Sequence, residues 1–88
     1  DHGMIFYFFK TRIVRMWMKN TYLPLDMIFI RADGTIVSVA HSAVPESLVT
    51  VASEGVAVSA LELSGGTAKR LGIKAGDLIR HKVFGNLD

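Results

Sequence analysis

The sequence predicts a mainly β protein, a small β-sandwich or jelly-roll-like barrel with one short helix. Three observations predict it: an aromatic-rich β-forming start, an Asp33-Gly34 turn between two β-rich runs, and a short helical stretch that ends at glycine. The 88 residues suffice for one small domain, and half of them are hydrophobic, which is enough to form a core. We therefore expect a single domain over residues 1–88.

The first twenty residues have the pattern of two strands. Residues 4–9 carry apolar side chains on both faces of a two-residue period, as in a strand covered on both sides. Residues 11–18 are predicted as the next strand, with Lys10-Thr11 as the connection. Asparagine and proline between residues 20 and 24 interrupt the pattern, because proline cannot donate to a ladder.

A hairpin follows this interruption. Residues 26–31 and 35–41 are β-rich and flank Ala32-Asp33-Gly34, and Asp-Gly accommodates the positive φ angles of a tight turn. Residues 42–55 are predicted as a long connection and residues 56–63 as a further strand.

The C-terminal part contains the predicted helix. It spans residues 67–71 and ends at Gly72, a common C-terminal stop. A turn at residues 75–77 then leads into a last predicted strand over residues 78–83. About six short strands and one helix are typical of a sandwich or barrel.

Charge and hydropathy argue against nucleic-acid binding and against a membrane-spanning helix. Ten basic and eight acidic side chains give a net charge of +2. The local basic cluster is small (Lys10, Arg12, Arg15 and Lys19), whereas nucleic-acid binders carry an extended basic face, so we predict no nucleic-acid binding. No apolar stretch approaches the ~20 residues of a membrane-spanning helix.

The sequence also predicts no metal and no other cofactor. Cysteine is absent, which excludes disulfides and thiolate metal sites. The three histidines, His2, His41 and His81, lack the short spacings of metal sites.

Two ordered blocks of residues carry a resemblance to a known family. The first contains Trp17-Met18-Lys19-Asn20-Thr21, Pro24-Leu25-Asp26, Phe29-Ile30 and Asp33-Gly34; the second contains Leu61-Glu62-Leu63, Gly66-Thr67-Ala68, Leu71-Gly72-Ile73 and Gly76-Asp77. With Gly3-Met4 before them, the chain resembles the bacterial and archaeal domain-of-unknown-function family 192 over nearly its whole length. The resemblance implies a compact β-sandwich of jelly-roll type and no particular activity. Because many bacterial members carry an export signal, it also implies a periplasmic or extracellular location.

The resemblance further implies an upstream strand region, bearing an Arg-x-x-Gly-Leu-Met type motif, to which nothing in this sequence corresponds. A missing strand would leave an unpaired sheet edge, which favours pairing with a second copy. We therefore expect a homodimer through an edge strand as one arrangement of the chain.

The candidate binding site lies between Trp17 and Asp26. Trp17, Lys19 and Asn20 place an aromatic ring, a cation and an amide at a strand end, a combination that suits a small polar ligand such as a carboxylate or a sugar. The structural alternative is that Trp17 belongs to the core, that Lys19 pairs with Asp26 or Glu62, and that Asn20 shapes the turn.

Glu62 is the second candidate, because it lies between two leucines. Burial there would raise its pKa, as a general acid requires, with Asp26 or Asp77 as the partner carboxylate of a hydrolase. The alternative is that Glu62 neutralises Lys19 or Arg15. No specific catalytic motif occurs, so a non-enzymatic ligand-binding or interaction module is favoured, and whether the chain is an enzyme stays open.

Overall fold

The computed structural model describes residues 3–18, 22–47, 50–81 and 84–86. These residues form four strands and one helix: β1 (Gly3–Met16), β2 (Leu25–Ile30), β3 (Ile36–Ala43), β4 (Val51–Ser64) and α1 (Thr67–Leu71). The strands form one antiparallel sheet in the order β1-β4-β2-β3. The predicted mainly β class with a short helix is confirmed, in the form of a sheet that is not closed.

Strand β1 differs from the prediction of two strands joined at Lys10-Thr11. It is one strand with a large bulge: Tyr7 pairs with Ser59 and Arg12 with Ala57, so residues 8–11 lie opposite a single residue of β4. Phe9 in this bulge has a φ of 60° and an exposed side chain. The extra residues bend the strand instead of ending it, because β4 continues on the other side of the bulge.

Beyond the bulge, residues 12–16 of β1 pair with residues 51–57 of β4 as a two-stranded ribbon, and the bend lets this ribbon cover one face of the sheet. Val14 from this ribbon packs in the same buried cluster as Met27 and Phe29 of β2. The backbone N–H of Glu54 donates to Ser38 Oγ at 3.1 Å, which ties the ribbon to β3. One hydrophobic core therefore lies between the folded ribbon and β2–β3, as in a sandwich, although the strands belong to one sheet.

The opposite face of the sheet is covered by α1 and the segment after it. A second buried cluster forms there, made of Ile28, Ile30, Ile36, Val58, Ala68 and Phe84, with Ile73 and Ile79 packed against it. Because both faces are covered, β2 is buried along almost its whole length, which explains its nearly uninterrupted apolar sequence.

The predicted hairpin and helix are confirmed. Ile30 pairs with Ile36 across the turn, and Gly34 there has a φ of 94°. Helix α1 has the predicted bounds, and Gly72 takes the left-handed conformation at its C-terminus with a φ of 70°. Strands β3 and β4 extend beyond the prediction into residues 42–55, which shortens the predicted long connection.

The predicted last strand over residues 78–83 is wrong within the described residues 78–81. Leu78 forms only an isolated bridge with Thr35. The neighbouring backbone groups bond elsewhere: Ile79 N–H donates to the Gly34 carbonyl at 2.8 Å, and the Asn86 side chain accepts from His81 N–H at 2.9 Å. These turn contacts use the groups that a ladder would need. Residues 82 and 83 lie outside the described residues.

Strand β1 is one outer strand of the sheet, as the expected homodimer requires. Its bulge and the exposed side chains of Lys10 and Arg12 are features that discourage edge-to-edge pairing. The homodimer stays a prediction, for which light scattering after size-exclusion chromatography is the direct measurement. Among the described residues, no helix has the length and apolarity to cross a membrane.

Candidate functional site

Asp26 holds three segments of the chain together. Its side chain is fully buried at the start of β2. Oδ1 accepts the backbone N–H groups of Ser42 at 2.9 Å and Gly66 at 3.2 Å, and Oδ2 accepts that of Ala68 at 2.7 Å. Burial raises the pKa of Asp26, but the three hydrogen bonds outweigh it and leave the pKa below its ordinary value. Asp26 is therefore a structural carboxylate that joins β2 to β3 and to the start of α1.

Glu62 has the opposite environment. It pairs with Met4 of β1 on one side and with Met27 of β2 on the other, and paired residues project from the same face of a sheet. Its side chain is half-buried, and burial raises its pKa. No described residue donates a hydrogen bond to this carboxylate or forms an ion pair with it.

A hollow of about 240 Å³ opens beside Glu62. It is lined by residues at the adjoining ends of β1, β2 and β4, namely Gly3, Met4, Leu25, Glu62, Leu63 and Ser64. Met4 is 60% exposed and Ser64 is exposed, so the hollow is open to solvent. The arrangement is a single carboxylate on a mostly apolar surface, the kind of site that can bind an organic ligand.

The structure does not bring Asp26 and Glu62 together. Asp26 pairs with Leu63, the neighbour of Glu62 in β4. Because successive side chains of a strand point to opposite faces, the two carboxylates lie on opposite sides of the sheet.

Asp77 is also remote from Glu62. Its carbonyl accepts the N–H of Ile36 at the start of β3, whereas Glu62 lies in the row of Met27, which pairs with Ala40. Ile36 and Ala40 are four residues apart along β3, about 13 Å. Glu62 lies two strand spacings beyond Ala40, which adds to its distance from Asp77. The Asp77 carboxylate accepts the N–H of Lys74 at 3.0 Å. Neither Asp26 nor Asp77 therefore lies close enough to Glu62 to act as its partner carboxylate.

Of the predicted site between Trp17 and Asp26, the structure describes residues 17–18 and 22–26. Lys19 and Asn20 lie outside the described residues. Trp17 is 56% exposed, whereas its neighbour Met18 is fully buried in the cluster that contains Met27. The core position thus belongs to Met18, and the indole of Trp17 lies at the surface, where it is accessible to a ligand.

A second hollow, of about 270 Å³, lies at the opposite end of the sheet. Thr11, Arg31, Ala32, Asp33 and Val56 line it. The hydrogen bonds from Thr35, one of them 2.8 Å from its backbone N–H, lower the pKa of Asp33, and the charge of Arg31 adds to this effect. The Asp33 carboxylate thus has a hydrogen-bonding partner, Thr35, whereas no described residue donates to Glu62. Sequence reasoning missed this hollow, which the unpredicted bulge of β1 helps to form.

The described residues contain no group of three or more His, Asp or Glu side chains arranged to hold a metal ion.

Comparison with known proteins places the chain in a family. The model of DUF192, described as an uncharacterized ACR, matches residues 1–81. The chain belongs to the DUF192 family. The resemblance identified from the two sequence blocks is thereby confirmed, and no curated protein matches this DUF192 chain.

Two solved structures are similar to this DUF192 chain. One, from Sinorhizobium meliloti 1021 and described as a candidate transcription regulator, is 52% identical with a TM-score of 0.90 and covers 94% of this chain. The other, a protein of unknown function from Novosphingobium aromaticivorans DSM 12444, is 39% identical with a TM-score of 0.85 and covers 90% of it. The matched regions span 64% and 56% of those two proteins, so both relatives are substantially longer than the matched DUF192 region.

Proposed function

We propose that this DUF192 domain is a non-enzymatic binding module that takes a small ligand in the hollow around Glu62. The observation that carries the proposal is the state of the carboxylate: half-buried, next to two methionines, and without a hydrogen-bonding partner among the described residues. Asp26, the other carboxylate of this region, accepts three backbone hydrogen bonds.

An unpartnered carboxylate in apolar surroundings disfavours folding, because its charge loses hydration without gaining a partner. A glutamine or leucine would fill the same position without that penalty. Groups that stay at a cost to stability are commonly retained for function. Glu62 therefore fits a ligand contact better than a structural role.

The hydrolase alternative lacks its second carboxylate. Carboxylate-pair hydrolases hold both groups about 5–10 Å apart around the substrate. Asp26 lies on the opposite face of the sheet from Glu62, and Asp77 lies at the far end of β3. A binding role for Glu62 requires no such pair.

Nucleic-acid binding is suggested only by the description of the Sinorhizobium relative. In this chain Lys10, Arg12 and Arg15 lie along β1, and the Arg12 guanidinium lies 5.2 Å from the centre of the Phe8 ring. Three cations on one strand supply few phosphate contacts, so the absence of nucleic-acid binding stays our prediction. Fluorescence anisotropy with labelled duplex and single-stranded DNA at physiological salt is the measurement.

We also propose that the module works outside the cytoplasm. The resemblance to bacterial family members that carry an export signal supports this location. Fractionation of cells that express the native protein at its natural level would test it. Recovery with the periplasmic or extracellular fraction is expected, and recovery with cytoplasmic markers would overturn it.

The binding proposal is tested by nuclear magnetic resonance titration of the isotope-labelled chain with a library of small polar fragments. Ligands should shift the amides of Leu25, Leu63 and Ser64, and Glu62→Gln should weaken these shifts. Glu54→Gln changes an exposed glutamate of the same strand and serves as the control. Shifts that cluster elsewhere, or that are equal in both variants, would overturn the proposed site.

A further inference from the structure

We infer that the Glu62 hollow binds a primary ammonium group carried on a short apolar body. The inference rests on the proposed function and names the chemical class of its ligand. Two sources share this chemistry, a free alkylamine and the amino group of a lysine or chain terminus in a peptide.

The charge of the ligand follows from the composition of the hollow. Glu62 is the one ionisable residue among the described residues that line it. An ionised carboxylate only accepts hydrogen bonds, and none of the described residues donates one to Glu62. A neutral hydroxyl would supply a hydrogen bond but leave the charge unbalanced, whereas an ammonium group supplies both. An anionic ligand would be repelled.

The apolar body follows from the other side chains. Met4 and Leu25 present methyl and methylene groups to the hollow, and Met4 is flexible enough to adjust to different shapes. A ligand that covers these side chains removes apolar surface from water. The Ser64 hydroxyl at the rim can donate to, or accept from, one further polar group.

The size of the hollow limits the ligand. Its volume of about 240 Å³ is below the ~300–1,000 Å³ of drug-sized pockets. A chain of about four carbons, as in butylamine or a lysine side chain, is therefore a suitable size. Larger amines would extend into solvent past Met4.

Ligand charge also couples to the protonation of Glu62. Burial holds the pKa of this carboxyl above its ordinary value, and a bound cation favours the ionised form. A saturating amine should consequently lower the pKa of Glu62, which is visible in the ¹³C shift of its carboxyl carbon during a pH titration. Butanol should leave that titration unchanged.

Three probes of matched length test the inference: n-butylammonium, n-butanol and butyrate, each titrated into the labelled chain. The shifts of the Leu63 and Ser64 amides should report a higher affinity for butylammonium than for butanol or butyrate. Glu62→Gln should weaken butylammonium binding about tenfold or more. Glu54→Gln should bind it like the parent. A blocked tripeptide with a central lysine, compared with its acetyl-lysine form, distinguishes a peptide source from a free amine.

The outcomes separate the inference from the proposal beneath it. Equal binding of butylammonium and butanol, unchanged in Glu62→Gln, would overturn the ammonium assignment and leave a binding hollow. Preference for butyrate would overturn the assignment as well. If none of the three probes shifts the hollow amides, the assignment is overturned, and the fragment titration described above decides separately whether the hollow binds anything.

Discussion

Asp26 and Glu62 occupy adjacent rows of the sheet and project from opposite faces of it, because Asp26 pairs with Leu63 and Glu62 pairs with Met27. The two carboxylates therefore have different environments within one small fold. On one face the carboxylate accepts three backbone N–H groups and its pKa is lowered. On the other face it has no described donor, and burial raises its pKa.

Replacing Asp26 should destabilise the fold. In Asp26→Asn, one of the two oxygens becomes an amide nitrogen that cannot accept, so at least one of the backbone N–H groups of Ser42, Gly66 and Ala68 loses its partner. A buried unsatisfied donor costs about 1–3 kcal/mol, and urea unfolding should show that loss. Glu54→Gln is the control, because Glu54 is an exposed carboxylate. Equal unfolding midpoints for the parent and Asp26→Asn would contradict the bridging role.

The stability contributed by Asp26 should depend on pH. Its folded pKa lies below the ordinary value of 3.8, so the contribution is present above pH 3.8 and is lost as the pH falls through the folded pKa. Unfolding midpoints measured between pH 5 and pH 2, with Asp26→Asn in parallel, should converge at the acidic end. A constant difference between parent and variant across this range would show that the carboxylate charge is not what stabilises the fold.

Glu62→Gln should have the opposite effect, raising stability at neutral pH. The folded pKa of Glu62 lies above the ordinary value of 4.5, so its contribution is favourable below pH 4.5 and is lost as the pH rises through the folded pKa. The gain at pH 7 should stay under about 1 kcal/mol, because solvent screens a half-exposed charge. Urea unfolding at pH 4 and pH 7 measures it. A variant less stable than the parent at pH 7 would mean that Glu62 has a structural partner.

Sequence reasoning was most successful where the signal was local. Asp33-Gly34 predicts a tight turn from two adjacent residues, and Gly72 predicts the end of α1 from one. Both features depend on the backbone freedom of residues that can adopt positive φ. The structure has them where the sequence places them.

The rest required contacts between distant residues. Asp26 accepts hydrogen bonds from backbone N–H groups 16, 40 and 42 residues away, and no residue near it in the sequence indicates those partners. The alternation of side chains within β2 and β4 could be predicted, but not the register between the strands. That register decides whether Asp26 and Glu62 share a face. The bulge of β1 was missed because Lys10-Thr11 resembles a connection between strands.

Ser53→Ala should loosen the folded ribbon. Ser53 Oγ accepts the N–H of Val14 at 2.9 Å and donates to the Gly55 carbonyl at 2.6 Å, and its side chain is buried. Alanine leaves the Val14 N–H without that partner, at about 1–3 kcal/mol. Hydrogen exchange at Val14 should accelerate more than exchange at Ile28 in β2. Ser64→Ala changes an exposed serine of the same strand and should leave both rates unchanged. Equal acceleration at both sites would indicate global destabilisation instead.

Gly34→Ala should destabilise the protein more than Gly76→Ala, although both glycines have a φ of 94°. The φ angle strains alanine at either position by a similar amount, roughly 1 kcal/mol. At Gly34, however, a Cβ would also collide with the backbone carbonyl oxygen of Ile79, whereas a Cβ built on Gly76 meets no atom of the described residues within 4 Å apart from its own chain neighbours. Backbone cannot move aside as a flexible side chain can, and Ile79 N–H also bonds to the Gly34 carbonyl at 2.8 Å. Urea unfolding of the two variants isolates the collision, because the φ term cancels in their difference. Equal losses of stability would mean that the segment after α1 shifts freely away from the hairpin turn.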